Sequence, residues 1–307
     1  MTLANQPPVL IIGGSLVGLT ASLALTTAGI PNITFEKHAQ ISAHPRAMGF
    51  TPRTMEYYRS LGIADQIPQA PADFTLLRAR RSAQSPTNPQ TPPAKPTFSS
   101  LRGAAIPQDA LETILSTTAL SRGADIRRGW TVLTFTQTPT GVTITVLPPC
   151  SKTPTAITGS YLLAADGHRS TIRGQLATPL SGIGHMQTMR SVLFRADLSP
   201  LTSDITQFEI DQPESNSLHA FLTTYNDHRW VLMFYDDIHR SEPDLRSAIN
   251  LAIGRDDIPV HIITTGRWDL TARIAERFHH GRVFLLGDAA HTLPPNRGGY
   301  GRSWGEG

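Results

Sequence analysis

The residues of this sequence that could do chemistry begin with a glycine-rich turn. Residues 9–18 read VLIIGGSLVG, a short apolar run that breaks into small residues and then enters a second apolar run. This pattern is typical of a strand, a tight turn and a helix whose first amides face a phosphate. The three positions of the G-x-G-x-x-G motif, which make the turn and let the pyrophosphate and the helix approach, are Gly13, Ser15 and Gly18. We interpret the turn as a dinucleotide site, with a plain helix-packing turn as the alternative.

Three acidic residues follow predicted strands and could bind the rest of such a ligand. Glu36 lies close to the distance of ~20 residues from the turn at which an acid binds the ribose of an adenosine. Asp166, in ADG, and Asp288, in GDAAH, each follow a later apolar run. Ligands of open α/β sheets bind at the carboxyl ends of the strands, which favours a shared site. Taken singly, Glu36 could be a solvated strand end, and each aspartate could cap a loop.

The elements that must position these residues alternate between helices and strands. The predicted helices are Leu16–Thr27, Arg53–Leu61, Gln108–Leu120 and Pro243–Ile253. The predicted strands are Val9–Ile12, Ile33–Phe35, Ser191–Ala196, Leu218–Thr223, Trp230–Tyr235 and Arg282–Leu286, with a strand meander over Trp130–Ala165. The Pro-, Ser- and Thr-rich stretch Ser82–Ser100 predicts a surface loop. The order indicates a doubly wound α/β domain interrupted by an antiparallel layer over Phe74–Lys95 and Ser181–Gly266.

Composition and charge exclude several classes of protein. The chain has 307 residues, of which 39% are hydrophobic and 17% charged, as in a globular protein of two domains. The net charge is only +3 and no Lys/Arg-rich run occurs, so we expect no nucleic acid partner. Glycines interrupt the apolar stretch Val9–Ile30, which argues against a membrane span. The single cysteine, Cys150, cannot form an intrachain disulfide, which fits a cytoplasmic protein. Nothing in the sequence indicates an oligomeric state.

Several motifs together resemble a known family. They are GGSLVGL from Gly13, HPRAMGFTPRTME from His44, IPQDALE from Ile106, LLAADGHRSTIR from Leu162, MRSVLFRADL from Met189 and GRVFLLGDAAHTLPPNRGGYG from Gly281. The chain resembles the FAD-dependent aromatic hydroxylases of the para-hydroxybenzoate hydroxylase class, and is most similar to those acting on polycyclic aromatic polyketides of the tetracenomycin and anthracycline type. The resemblance implies a Rossmann-like FAD-binding domain of the glutathione reductase type, over residues 1–73, 96–180 and 267–307. An antiparallel-sheet substrate domain would occupy residues 74–95 and 181–266.

The resemblance implies FAD as cofactor and NAD(P)H as cosubstrate. NAD(P)H would reduce the flavin, O2 would add to give a C4a-hydroperoxide, and this species would hydroxylate an aromatic substrate. Because the flavin does the chemistry, no catalytic residue is assigned. By resemblance, Gly13, Ser15 and Gly18 bind the pyrophosphate, Glu36 the ribose and Asp288 the ribityl chain. The other implied cofactor contacts are Lys37, Arg46, Gln108, Asp166, Gly167, Pro295 and Gly298.

Side chains on the antiparallel layer are the candidates for a substrate pocket. They are Phe194, His219, Phe221, Tyr225, Trp230, Met233 and Tyr235. For each of them, an ordinary sheet core is the alternative. We expect no metal site, because His279 and His280 lack a third ligand at suitable spacing, and we interpret His291 as a structural residue.

The end of the sequence departs from the family pattern. After GGYG at residues 298–301, the family continues into a small-residue turn and a long helix, whose N-terminus favours negative charge at the flavin. Here RSWGEG follows, which is too short and too glycine-rich for a helix. We therefore expect a C-terminally truncated chain, and the alternative function is a catalytically inactive FAD-binding remnant. A flavin halogenase or epoxidase on the same scaffold is a lower-ranked alternative, and the sequence has no Trp-x-Trp-x-x-Pro motif of a halogenase.

Overall fold

A computed structural model of the protein describes residues 6–42, 49–68, 78–82, 85–86, 99–199, 207–212, 218–225 and 227–294. The helices are α1 (Leu16–Thr27), α2 (Pro52–Ser60), α3 (Gln108–Ser121), α4 (Thr171–Gln175) and α5 (Glu242–Ile253). The strands are β1 (Val9–Ile12), β2 (Asn32–Glu36), β3 (Gly49–Phe50), β4 (Arg78–Ser82), β5 (Ser85–Pro86), β6 (Ala104–Ala105), β7 (Asp125–Arg128), β8 (Thr131–Gln137), β9 (Val142–Leu147), β10 (Thr155–Gly159), β11 (Tyr161–Ala164), β12 (Leu180–Arg195), β13 (Gln207–Gln212), β14 (Leu218–Thr224), β15 (Arg229–Phe234), β16 (His261–Ala275), β17 (His279–His280), β18 (Val283–Leu285) and β19 (His291–Thr292). Within these ranges, every helix is too short or too polar to span a bilayer.

A six-stranded sheet carries the predicted dinucleotide turn near its centre. Its strand order is β17-β18-β11-β1-β2-β7, and β1 runs parallel to both of its neighbours. Every residue of β1 is buried, as expected for a strand in a parallel sheet that is covered on both faces. The predicted β1 and α1 are confirmed with the same bounds, and β2 begins one residue earlier than predicted and ends one residue later.

Helices α1 and α3 pack against each other through leucines spaced one turn apart. Leu19 and Leu23 of α1 and Leu111 and Leu115 of α3 are fully buried in one apolar cluster. The spacing of four residues places each pair on one face of its helix. This packing brings the first turn of α3 next to the glycine turn that follows β1.

The second large sheet has the strand order β19-β16-β12-β15-β14-β13-β4-β5. One of its faces packs on α5, in a core that includes Phe194, Leu232, Phe234 and Ile249; we call it the α5 face. Because side chains of a strand alternate between faces, the residues between these core positions point to the opposite side, which we call the second face. On that face Leu193 forms a separate small cluster with neighbouring side chains.

The predicted meander is confirmed in part, by the antiparallel sheet β10-β9-β8. The prediction is wrong for the last strand, because β11 leaves the meander and pairs in parallel with β1. Gly159 explains the departure. A Cβ at this residue would lie 2.4 Å from the carbonyl oxygen of Pro8, so the missing side chain lets the connection pass against the start of β1.

The sequence patterns miss several strands, among them β7 and β16. β7 has the charged sequence DIRR, and its Arg127 guanidinium lies over the rings of Phe35 and Trp130, at 5.6 and 5.2 Å from their centroids. β16 alternates between half-buried and exposed residues, so its hydrophobic signal is weak. It also crosses the predicted domain boundary at residue 266, and the division into domains stays a prediction.

The predicted loop Ser82–Ser100 is wrong at two places, of which the first is Ser82, the last residue of β4. Ser85–Pro86 forms β5, which pairs with the end of β4 at the edge of the eight-stranded sheet. Pro86 is tolerated there because an edge strand has one side without ladder hydrogen bonds. Residues 83–84 and 87–98 of that stretch lie outside the described residues.

Candidate cofactor-binding site

The parallel sheet brings the predicted dinucleotide residues to one edge. The neighbouring strands β18, β11, β1 and β2 all run in the same direction and end at the same side of the sheet. Asp288, Asp166, Gly13 and Glu36 follow or end these strands in that spatial order. The expectation that the acidic residues share an edge with the glycine turn is therefore met by the topology.

Close backbone approaches shape the glycine turn. Gly13 has a φ of +104°, and a Cβ on it would lie 2.1 Å from the carbonyl oxygen of Ala165. A Cβ on Gly18 would lie 1.8 Å from the carbonyl oxygen of Gly13. Both positions therefore exclude any side chain, as the packing role of these glycines in dinucleotide turns requires.

Glu36 is an acceptor placed directly beside the turn. Its Oε2 accepts a hydrogen bond from the Gly14 amide at 2.7 Å, and its Oε1 accepts one from the His38 amide at 2.9 Å. Burial of the carboxyl acts to raise its pKa, but the hydrogen bonds from His38 and Gly14 outweigh burial and lower the pKa of Glu36. The side chain is thus an anion at neutral pH and can accept a ribose hydroxyl. The neighbouring Lys37 is exposed.

Asp166 presents a buried acceptor that the described residues leave without a hydrogen bond. Its Oδ2 accepts from the amides of Thr171 and Ile172, at 2.8 and 3.3 Å, and so caps the start of α4. Its Oδ1 is buried and has no partner among the described residues. Buried acceptors are nearly always paired, so this oxygen is suited to a donor on a ligand or a water molecule. The adjacent Gly167 has a φ of +83°, and a Cβ there would meet no atom within 4 Å.

Asp288 lies in a short 3-10 turn, Gly287–Ala289, directly after β18. Its side chain is exposed, and among the described residues no hydrogen bond or ion pair involves its carboxylate. A Cβ on Gly287 would lie 2.8 Å from a methyl group of Val17, so the turn sits against the first residues of α1. The Asp288 carboxylate is therefore a solvent-facing acceptor near the helix N-terminus.

Two residues of α3 extend the site from the other side of the turn. Gln108 donates from Nε2 to Ser15 Oγ at 3.1 Å and to Glu112 Oε1 at 2.7 Å. Ser15 Oγ in turn donates a short hydrogen bond to Glu112 Oε1. Ser15 and Gln108 are predicted cofactor contacts, whereas Glu112 is not, although its spacing of four residues from Gln108 places both on one helix face. The predicted contacts Arg46, Pro295 and Gly298 lie outside the described residues.

Of the predicted pocket residues, His219, Phe221 and Tyr235 lie together on the second face of the eight-stranded sheet. The rings of His219 and Tyr235 are 4.6 Å apart between centroids, and Tyr235 Oη donates to Glu209 Oε1 at 3.0 Å. Phe221 pairs across the strands with Met233. These residues form a surface with an apolar part and a hydrogen-bonding part.

The four other pocket candidates divide between the two faces: Tyr225 and Met233 lie on the second face, and Phe194 and Trp230 lie on the α5 face. Tyr225 is buried at the end of β14, in the small cluster with Leu193 and Val231 on the second face. Trp230 is buried on the α5 face, in the same core as Phe194. The structure therefore places Trp230 in the sheet core that was its alternative interpretation, on the side away from His219.

The histidines near the end of the described chain have structural partners. His280 Nε2 lies 2.8 Å from Thr178 Oγ1, and His279 Nε2 lies 2.7 Å from the carbonyl oxygen of Gly281. His291 belongs to β19. No group of potential metal ligands occurs within the described ranges.

Comparison with known proteins shows the family to which the chain belongs. The model of the FAD binding domain family matches residues 6–302. The chain belongs to the FAD binding domain family. It is 31% identical to tetracenomycin B2 monooxygenase-dioxygenase of Streptomyces olivaceus, over 97% of this chain and 60% of the relative. It is 32% identical to 4-methyl-5-nitrocatechol 5-monooxygenase of a Burkholderia species, over 98% of this chain and 58% of the relative.

Solved structures agree with the family. The flavin-dependent monooxygenase PieE, in complex with FAD and substrate, superposes with a TM-score of 0.86 at 26% identity, over 94% of this chain and 54% of PieE. Aklavinone-11 hydroxylase, in a ternary complex with FAD and aklavinone, gives a TM-score of 0.82 at 29% identity, over 94% of this chain and 58% of the hydroxylase. The chain thus spans less than two thirds of the length of each of these four proteins. The expected α/β fold with an FAD-binding Rossmann-like sheet is confirmed.

An ion pair connects helix α3, whose first turn lies beside the glycine turn of the six-stranded sheet, to the eight-stranded sheet. Arg229, the first residue of β15, donates to both carboxylate oxygens of Asp109 at 2.8 and 3.2 Å. It also donates to Asp227 at 2.7 Å, and its guanidinium lies 5.6 Å from the ring centroid of Tyr225. Although burial alone lowers the pKa of Arg229, the two carboxylates raise it. Because Asp109 follows Gln108, this contact fixes the start of α3 against the second face.

Replacing Arg229 by methionine is expected to lower the free energy of unfolding by about 2 kcal/mol, a value between those of exposed and buried ion pairs. The methionine keeps most of the packing on Tyr225 but leaves the Asp109 carboxylate half-buried without its cation; the Arg229 side chain is 13% exposed. The measurement is urea unfolding of the cofactor-free protein. The matched control is Arg255→Met, which breaks an exposed pair with Asp257 and should have no measurable effect. Equal stability of the two variants would contradict the anchoring role of Arg229.

Proposed function

We propose that this chain is the FAD-binding part of an NAD(P)H-dependent monooxygenase that hydroxylates an aromatic ring. The observation that carries the proposal is the sheet edge at which Gly13, Glu36, Asp166 and Asp288 lie in a row beside the start of α1. Membership of the FAD binding domain family supports FAD as the ligand of this edge. Relatives named as monooxygenases support the reaction class.

The residues present fit an extended dinucleotide. The first amides of α1 and the side-chain-free turn at Gly13 would accommodate the pyrophosphate, because a helix N-terminus favours negative charge. Glu36, at the end of β2, would accept the ribose hydroxyls, and Asp288, after β18 on the other side of β1, would accept hydroxyls of the ribityl chain. The unpaired Asp166 Oδ1 would accept from a further donor between them.

The chemistry divides between cofactor and protein. FAD, when bound, supplies the redox chemistry: it is reduced by NAD(P)H and activates O2, so that one oxygen atom enters the aromatic ring and the other leaves as water. The overall reaction consumes one NAD(P)H, one proton and one O2 for each hydroxyl formed. The protein's contribution is to bind and orient the two rings and to exclude water. No acid or base among the described residues needs to be assigned for this.

We propose a flat, polycyclic aromatic substrate bound on the second face of the eight-stranded sheet. Phe221 and Met233 offer an apolar surface there, and the Glu209–Tyr235 pair and His219 offer hydrogen-bonding groups at its edge. An apolar floor with a few polar groups is typical of sites for ring systems that carry hydroxyls. The names of tetracenomycin B2 monooxygenase-dioxygenase and aklavinone-11 hydroxylase support this substrate class.

We place the protein in the cytoplasm, where NAD(P)H is available. The single cysteine, Cys150, agrees with a compartment in which thiols stay reduced.

The test is made on the purified protein. Its visible absorption spectrum should show bound flavin, and NADPH or NADH oxidation should be stimulated by polyphenolic ring compounds. The product should contain one added oxygen atom by mass spectrometry. A folded but colourless protein that takes up no FAD would support the inactive remnant instead. A flavin-containing protein that forms no hydroxylated product from any polyphenol would refute the reaction while leaving the cofactor in place.

A further inference from the structure

A buried carboxylate lies beside the glycine turn, and no described residue forms an ion pair with it. Glu112 is 3% exposed, and no ion pair involves it in the part of the chain that the structure describes. Its neighbours on α3, Leu111 and Leu115, are fully buried in the apolar cluster shared with α1. Burying an unpaired carboxylate costs several kcal/mol, so an apolar residue at this position would make the fold more stable. The stability of the fold therefore does not explain why residue 112 is a glutamate.

Glu112 contacts Ser15 and Gln108, two of the predicted cofactor contacts. Its Oε1 accepts from the Ser15 hydroxyl and from Gln108 Nε2. Because Oε1 accepts both hydrogen bonds, it fixes the N–H end of the Gln108 amide toward the turn and directs the hydrogen of the Ser15 hydroxyl toward α3. Both side chains are thus oriented by one group that lies deeper in the protein.

The orientation of Ser15 leaves the start of α1 without a side-chain cap. Ser15 is the N-cap residue of α1, in an extended conformation, yet its hydroxyl makes no hydrogen bond to the helix amides. The first turn of α1 also contains no acidic residue. A serine at an N-cap normally accepts from the second or third amide of its helix. Here the Ser15 hydroxyl donates to Glu112 instead. The first amides of α1 therefore remain available to bind an anionic ligand.

We propose that Glu112 is a positioning residue for the pyrophosphate of FAD. By binding the Ser15 hydroxyl and the Gln108 amide on α3, it keeps the first amides of α1 open to the diphosphate. The inference rests on the proposed FAD site. It predicts that loss of the Glu112 carboxylate weakens FAD binding without lowering the stability of the cofactor-free protein. Without the carboxylate, Ser15 turns to cap α1, so the cofactor-free fold keeps its stability while FAD binds more weakly.

Glu112→Gln tests the proposal, because it keeps the size of the side chain and removes its charge. The Kd for FAD, measured by the quenching of flavin fluorescence, should rise about tenfold, in line with the loss of charge-assisted hydrogen bonds. The thermal midpoint of the cofactor-free protein should stay the same or rise. The matched control is Glu242→Gln, which neutralises an exposed glutamate in α5 and should change neither quantity.

A double-mutant cycle with Ser15→Ala separates positioning from a general electrostatic effect. If Glu112 acts through Ser15, Glu112→Gln should change the Kd of the Ser15→Ala protein less than threefold. An unchanged or lower Kd in Glu112→Gln, or a fall in the thermal midpoint of the cofactor-free protein, would overturn the proposal. The same tenfold loss in the Ser15→Ala background would also overturn it. Failure of the unaltered protein to bind FAD would instead refute the proposed function, and this inference with it.

Discussion

Gly13→Ala is expected to lower the free energy of unfolding by about 4 kcal/mol, a large part of the stability of an ordinary domain. An alanine would have to adopt a φ of +104°, which L-residues rarely adopt. Its Cβ would also lie 2.1 Å from the Ala165 carbonyl oxygen, far inside the 3.0 Å that real Cβ contacts respect. That oxygen is backbone at the end of β11, so relief requires separating β11 from the turn. The measurement is urea or thermal unfolding, together with the FAD content after purification.

Gly29→Ala is the matched control for this prediction. Gly29 also has a positive φ, +71°, but a Cβ there meets no atom within 4 Å. This variant isolates the cost of the left-handed backbone, about 1 kcal/mol, from the steric conflict. We expect Gly29→Ala to fold and to retain FAD, whereas Gly13→Ala should be insoluble or free of flavin. Similar unfolding free energies for the two variants would show that β11 does not approach the turn as described.

The glycine turn was predictable from the sequence because its signals are local. A buried strand, a turn of small residues and an apolar helix occupy residues 9–27 without a break, and the structure confirms the bounds of β1 and α1. The meeting of Glu36, Asp166 and Asp288 at one edge was also predictable, since parallel strands share a direction. Neither prediction needed knowledge of contacts between distant side chains.

The predicted pocket combined residues that lie on opposite faces of the sheet, and the sequence already indicated this. Residues of one strand that differ by an odd number point to opposite faces. Trp230 and Tyr235, at the two ends of one predicted strand, therefore could not both line the same pocket. The structure places Trp230 on the α5 face and Tyr235 beside His219 on the second face.

Contacts between residues that are far apart in the chain could not be predicted from the sequence patterns. The Arg229–Asp109 pair joins residues 120 positions apart, and no local spacing indicates it. The burial of Glu112 depends on the packing of α3 against α1, which brings it to Ser15, 97 residues away in sequence. Such polar contacts depend on how complete elements dock, and sequence periodicity reports only which face of an element is apolar.

Asp288→Ala is expected to raise the Kd for FAD at least tenfold, so that the protein is purified with little or no flavin. The Asp288 side chain is exposed, and its carboxylate has no hydrogen-bond partner among the described residues. Because the substitution breaks no hydrogen bond there, the fold should lose little stability. The loss would fall on the ligand, because a hydroxyl that donates to this carboxylate would have to donate to water instead. The measurements are the absorbance of bound flavin per protein and the thermal midpoint without cofactor.

Asp65→Ala controls for the removal of an exposed aspartate from a 3-10 turn. Asp65 occupies the middle of the turn Ala64–Gln66, as Asp288 does in Gly287–Ala289, but it lies after α2 and not at the end of a strand of the parallel sheet. Both variants should unfold at similar temperatures, since each loses an exposed side chain in the same kind of turn. Only Asp288→Ala should lose flavin, because only its carboxylate is at the edge shared with Gly13 and Glu36. Equal flavin content in the two variants would show that Asp288 does not contact FAD. The predicted contacts would then be limited to the glycine turn, Glu36 and α3.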